Sequence, residues 1–347
     1  MSDSSQKVYG VDWGHKTKKV AVYGQDGIVE GAIEYSEKKE NYVSSLEEGS
    51  IIATENMPHK YKAQLTSIGL EIWQCGTHLT RLAREKDDIE KTDENDAKIL
   101  YDSFVNFRSN GNQEDETFRL FIYDAELEAL MRKVDIRSMH VNSRKYIKQL
   151  IAHADEKVQE HLSDQLEAAK TAVNKCDTVI GHSLKQFPIW EDYLKDINGI
   201  GKPSAAELIA IIKDIKRFPT VSKLWAYFGL HVINGSAPRR KAGQVANWNG
   251  RAKSLVLNDI VSNGFKMNGA ERVNKETGEV TKEATYWRVA YDSYKEAELE
   301  KNEMRPEDEK LSKGHMDKRA MRKTGKEFLK RLWIKWNELE EAESANG

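Results

Sequence analysis

The chain has 347 residues, 39% hydrophobic and 32% charged, with 54 basic against 56 acidic side chains. That length exceeds one ordinary domain, so two or three are expected. No apolar run approaches the ~20 residues of a membrane span, and the polar N-terminus has no secretory core, which sets membrane and secreted classes aside. Only Cys75 and Cys176 are present, without a CxxC or Cys/His cluster. This argues for a reducing compartment, the cytoplasm, and against a structural zinc site.

The net charge of −2 hides an asymmetry. Residues 199–255 hold ten Lys or Arg against two Asp or Glu, and residues 310–336 repeat that ratio. Two dense basic stretches in one half suit a polyanionic partner better than a single solvated face does.

Residues 7–13 read as a strand ending near Asp12, followed by a turn at 14–17. Lys19–Tyr23 and Ile28–Tyr35 are two further strands around the tight turn at Asp26-Gly27. Ser36–Leu46 is expected to be helical. Ile51-Ile52-Ala53-Thr54 is an apolar run of the kind buried in a sheet, and it runs into Glu55. A helix from Pro58 to Ile68, a strand at Leu70–Gln74 and a helix over 78–85 follow.

Next comes Lys91-Thr92-Asp93-Glu94-Asn95-Asp96-Ala97, ahead of an apolar helical run over 92–107. Positions three apart share a helix face, so Asp93, Asp96 and Leu100 form one stripe. Thr92 as an N-cap with acids in the first turn is the plain reading of these residues. The order βββαβαβα is that of the ribonuclease H-like fold, in which the first and fourth strands are neighbours. Asp12, Glu55, Asp93 and Asp96 would then meet at one sheet edge, a set of oxygen donors suited to a hard cation such as Mg²⁺.

A polar linker covers 109–117. From 118 to 186 there is no Pro and only one Gly, and apolar positions recur at helical spacing, which predicts two long antiparallel helices forming a coiled-coil hairpin. The basic residues on it, such as Arg132, Arg137, Arg144, Lys145 and Lys148, suit ordinary solvated positions better than contacts to nucleic acid. Gly199-Ile200-Gly201-Lys202 before a helix at 204–212 suits either a phosphate-holding hairpin turn or a structural αα turn. An apolar helix stops at Gly229.

The loop Asn234-Gly235-Ser236-Ala237-Pro238-Arg239-Arg240-Lys241 sets a small hydroxyl beside three cations. A serine attacking a phosphodiester needs such exposure and charge, although most loop serines are structural. Arg251 and Lys253 open another helix, 267–284 is a polar insertion, and 286–300 is helical. Residues 312–337 form a basic helix with Lys318, Arg319, Arg322 and Lys323. His315 near its start suits a helix cap or a phosphate contact better than an acid/base group. The acidic end from Glu338 is expected to fray.

Together the Asp12 strand, Glu55, Lys-Thr-Asp-x-x-Asp-Ala at 91–97, the 199–201 turn, Arg217-Phe218, Tyr227-Phe228-Gly229-Leu230, Ser236 and the closing Phe328-Leu329-x-x-Leu332-Trp333 resemble the DEDD-type insertion-sequence transposases of family 110, which include Piv-like DNA invertases. Where that family usually has Ser-Gly, this chain has Ser236-Ala237.

The resemblance implies an α/β plus α architecture. Its parts are a ribonuclease H-like (RuvC-like) domain at 1–110, coiled-coil oligomerisation helices at 111–190, a mainly helical transposase domain at 191–340 and a flexible tail at 341–347. It implies Asp12, Glu55, Asp93 and Asp96 as Mg²⁺ ligands, with Mn²⁺ as a substitute, and Ser236 as the nucleophile that bonds to DNA. Lys202, Arg239, Arg240, Lys241, Arg251, Lys253, Lys318, Arg319, Arg322 and Lys323 would contact nucleic acid. It also implies double-stranded donor and target DNA, a structured guide (bridge) RNA, a homodimer or homotetramer, no membrane, and a place in the prokaryotic cytoplasm at the nucleoid. A different class stays open beside it: a RuvC-like, metal-dependent, structure-specific endonuclease in which water attacks.

Overall fold

The computed structural model describes residues 6–14, 19–34, 43, 46–55, 57–76, 78–110, 117–233, 235–239 and 246–346. The chain divides into two compact units, Met1–Glu128 and Ala129–Gly347.

The first unit is a six-stranded mixed sheet in the order β3-β2-β1-β4-β5-β6. Its strands are β1 (Val8–Gly14), β2 (Lys19–Gly24), β3 (Gly27–Glu34), β4 (Ile51–Thr54), β5 (Glu71–Cys75) and β6 (Phe118–Leu120). The expected neighbourhood of the first and fourth strands is present: β1 and β4 pair in parallel, with Val8 opposite Ile51 and Gly10 opposite Ala53. β6 departs from the sequence reading, which placed only helices between 118 and 186. It follows the polar linker and pairs antiparallel with β5 through Trp73 and Leu120. Phe118 explains the pairing, because its ring stands edge-on to the buried Phe104 at 5.1 Å.

Alternation along the strands gives each face its own core. Val11, Trp13, Val20, Val22, Ile52 and Ile72 pack with Tyr61 and Leu65 of α1 (His59–Ser67). On the other face, Ile51 and Ala53 meet Phe104 of α3 (Asp93–Asn110). Asp12 has the parity of Val8 and Gly10, and Glu55 that of Ile51 and Ala53, so both acids belong to the face that α3 covers. Between these elements, α2 (Leu79–Asp87) ends at Asp88 in the left-handed region, φ 51°. The helix expected over Ser36–Leu46 lies largely outside the described residues.

The second unit is helical. It takes up α4 (Ala125–Ile151), whose first residues fall in the first unit, and α5 (Glu156–Ser183), capped by the Asp155 side chain on the Val158 amide. An ion pair of Arg137 with Asp177 and a 2.6 Å hydrogen bond from Lys133 to Ser183 join the two helices in antiparallel sense. Residues 135–168 contain no buried side chain, so the buried apolar positions of the hairpin, Leu130 and Val134 on α4 and Ala169, Val173 and Ile180 on α5, all lie at its other end.

After α5 come the short α6 (Pro188–Glu191), α7 (Lys202–Ile212), α8 (Val221–Tyr227) and α9 (Gly250–Ser254). A π-helix, Leu255–Asn268, continues α9 directly. A small hairpin of β7 (Arg272–Val273) and β8 (Val280–Lys282) occupies the polar insertion. α10 (Tyr286–Glu303) and α11 (Lys313–Asn346) close the chain. Where the acidic composition suggests fraying from Glu338, α11 is helical through to Asn346. The residues there (Glu338, Leu339, Glu340, Glu341, Ala342) are good helix formers, which favours helix despite the acidic charge at that end. Among the described residues no helix is long and apolar enough to cross a membrane.

Candidate active site

Four carboxylates converge in the first unit. Gly10 has no side chain because α3 lies directly on it: a Cβ there would overlap the Ala97 carbonyl oxygen and stand 2.5 Å from the Tyr101 nitrogen. That backbone contact brings the first turn of α3 to the end of β1. Asp12 lies two residues beyond Gly10, and Glu55 two beyond its register partner Ala53. The electrostatic result is clear at Asp12. Burial, then the charges of Asp96, Asp93 and Glu55, push its carboxyl from 3.8 to about 7.

The other acids have partners from α2 and from the helix start. Glu55 accepts hydrogen bonds from the Thr80 amide at 2.7 Å and the Thr80 hydroxyl at 2.8 Å. Asp96 is buried and forms an ion pair with Arg84. Thr92 does cap α3, with its hydroxyl accepting from the Asn95 amide at 3.0 Å. The capping role and the convergence of Asp93 and Asp96 with Asp12 therefore hold together. Arg84 and Thr80 were invisible in the sequence because no motif spacing links them to the acids; only the placement of α2 against α3 and against the end of β4 does.

The oxygen donors are of the type a hard divalent cation takes, since carboxylates in mutual repulsion are what such an ion neutralises. Their spacing is not that of a closed cage. Among the described residues no three His, Cys, Asp or Glu side chains stand where they could hold one metal ion. Arg84 holds the Asp96 carboxylate instead.

Ser236 lies in the second unit, on a turn built for display. Ile233 and Ser236 exchange backbone hydrogen bonds of 2.9 Å each, and Gly235 between them takes φ +77°. The serine is exposed. Two residues later the Pro238 carbonyl accepts from Lys253 Nζ at 3.2 Å. Lys253 also lies over the Trp248 ring at 5.1 Å. Arg239 is exposed, while Arg240 and Lys241 lie outside the described residues.

The remaining cations separate by partner. Arg251 is held by Glu207 at 2.6 Å and Asp135 at 3.0 Å, which leaves little of its charge for a phosphate. Lys323 and Arg319 share the buried Glu298, at 2.6 and 3.4 Å. Lys318 and Lys202 are exposed. His315 is exposed too, and its amide donates to the Ser312 hydroxyl at 3.3 Å, so Ser312 caps α11. The Gly199 turn has a packing cause: at φ +103° it lies backbone to backbone against Gly264 of the π-helix. His231 and Lys326, which the sequence did not single out, join the serine loop's surroundings. Burial, then Lys253 and Lys326, lower the His231 imidazole's proton affinity.

Residues 191–256 match the model of the family described as Transposase IS116/IS110/IS902 family. No curated protein matches the chain. The matched segment contains Lys202, Ser236, Arg239, Arg251 and Lys253, and leaves the carboxylates outside it. Over the stretch that displays Ser236 the chain is similar to transposases, and this supports a DNA-transposing enzyme.

Proposed function

We propose that the chain is a DNA recombinase that cuts and rejoins strands through Ser236, assisted by the carboxylates Asp12, Glu55, Asp93 and Asp96 on a ribonuclease H-like sheet. The observation that carries it is the Asp12 carboxyl, held near 7 by burial and by three further acids. Gathering four like charges around one buried acid costs stability, and phosphoryl-transfer sites are a recurrent use of such an arrangement.

In this reading the Ser236 hydroxyl oxygen attacks a backbone phosphorus. The Oγ–P bond forms, the P–O bond to the leaving strand breaks, and the serine proton ends on the released hydroxyl. A second strand's hydroxyl then attacks the phosphoserine, restoring the phosphodiester and returning a proton to Ser236. The carboxylates would hold Mg²⁺ or Mn²⁺, which when bound supplies charge neutralisation at phosphate oxygens. The exposed Lys318, Arg239 and Lys202 would position the backbone without reading sequence. Target choice through a structured guide RNA, and assembly as a dimer or tetramer, rest on the family resemblance; the two basic stretches and the unburied stretch 135–168 of the α4–α5 hairpin are compatible with them.

A second reading is a metal-dependent endonuclease in which water attacks. The placement of all four acids in the unit without Ser236 favours it. Incubation with DNA followed by denaturing electrophoresis separates the two. The recombinase reading expects a covalent protein–DNA species from wild type and none from Ser236→Ala. Cleavage that survives Ser236→Ala but is lost in Asp12→Ala supports the endonuclease.

A further inference from the structure

We propose that His231, Lys253, Arg322 and Lys326 form a seat for one backbone phosphate of a DNA strand, beside the loop that displays Ser236. The inference deepens the serine reading and rests on it for the identity of the strand.

Three separate segments build the seat. Gly325 of α11 is what lets them meet: a Cβ there would stand 3.0 Å from Val256 and 3.4 Å from Leu230, so the helix backbone lies against both the π-helix and the residue before His231. Lys326 follows Gly325, and its ammonium sits over the Trp225 ring at 4.0 Å. The Trp225 indole nitrogen donates to the Lys326 carbonyl at 2.9 Å, which fixes that helix turn. From the other side Lys253 lies over Trp248 and reaches the Pro238 carbonyl of the serine loop. Trp248 in turn is fitted to Gly229, where a Cβ would come within 2.6 Å of the indole.

These cations are placed against their own interest. All four side chains are half-buried. Among the described residues neither Lys253 nor Lys326 has a carboxylate partner, and the acid that Arg322 feels is Glu298, already shared by Lys323 and Arg319. Burial and then Arg322 hold Lys253 and Lys326 below the usual lysine range, and burial and then Arg319 lower Arg322. His231 Nδ1 is buried with no hydrogen-bond partner among the described residues. Unpaired, partly desolvated cations and an orphaned ring nitrogen are costly unless an anion completes them. A phosphate, with its several acceptor oxygens, matches donors arriving from three directions.

The test uses the full-length Ser236→Ala protein and a short fluorescein-labelled single-stranded oligodeoxynucleotide, read by anisotropy. Lys326→Gln and Arg322→Gln should each weaken binding on the order of tenfold or more and flatten the salt dependence by about 0.7 in slope per lost contact. Lys301→Gln, on an exposed lysine of α10, should leave binding as it was. Unchanged affinity in both cluster variants, with melting curves like the parent's, overturns the seat. Should those variants fail to fold, histidine-labelled NMR of the parent decides. Added inorganic phosphate should raise the pH at which His231 titrates, and an unmoved His231 overturns the proposal. Phosphate that shifts His231 but does not compete with the oligonucleotide overturns the assignment to DNA. Intact oligonucleotide binding with no covalent adduct from the wild-type protein removes the serine reading and leaves the seat standing.

Discussion

Gly10 of β1 and Ala97 of α3 touch backbone to backbone, and this contact sets the position of the acidic site. The pair joins the sheet strand that carries Asp12 to the helix turn that carries Asp93 and Asp96. Gly10→Ala should therefore cost stability and site geometry together. Overpacking of this kind costs about 1–3 kcal/mol, and here the obstruction is backbone rather than a pliable side chain. Urea denaturation should show the midpoint falling, with any folded fraction losing the elevated Asp12 pKa by NMR.

Asp12 makes the first unit's stability depend on pH. Its carboxyl keeps its proton to about 7 in the folded chain and releases it near 3.8 when unfolded. A raised folded value favours the folded state at low pH. The contribution is fully present below 3.8 and is lost as pH rises through about 7. Denaturation in chelator should show a loss of roughly 2–4 kcal/mol across that window. Asp12→Asn should remove the slope; an unchanged slope in the variant refutes the assignment.

Arg84 competes for Asp96, one of the carboxylates that a cation would use. Arg84→Gln leaves Asp96 buried without its guanidinium, and removing one partner of a buried pair costs about 3–5 kcal/mol. At the same time Mn²⁺, followed by electron paramagnetic resonance, should bind more tightly to the variant than to wild type. Equal or weaker Mn²⁺ binding by the variant would show that the cation goes elsewhere.

A second buried pair tests the sheet's other face. Lys62 and Glu128 meet at 2.5 Å, each with 5% of its surface exposed, and the Lys62 ammonium also lies 5.3 Å from the Phe121 ring centre. Lys62→Met alone should destabilise by about 3 kcal/mol or more, whereas Lys62→Met with Glu128→Leu should recover much of the loss. A double-mutant cycle by chemical denaturation measures the coupling, and additive losses would rule it out.

Much of the first unit was legible locally. Period-two alternation at 8–13 and 19–23, the apolar run at 51–54 and the Thr92 cap are decided within a few residues, so strands and helix starts fall close to where the sequence places them. Asp12, Glu55, Asp93 and Asp96 each read equally well as ordinary strand-end or helix-start acids, and only the order of the elements groups them. Short β6 escaped because three residues carry too little pattern; its place comes from the ring contact between Phe118 and Phe104.

What the linear order could not contain is pairing between distant charges. Sequence marks Arg251, Arg319, Lys323 and Lys326 as equivalent members of two basic stretches. Tertiary packing alone gives Arg251 to Glu207 and Asp135, gives Arg319 and Lys323 to Glu298, and leaves Lys326 over Trp225. The same holds for the acids. Composition determined that carboxylates and cations are present, and local periodicity determined the elements that carry them. Which charges are neutralised, and which repel, depends on burial and on separations of a few ångströms that exist only once the chain is folded.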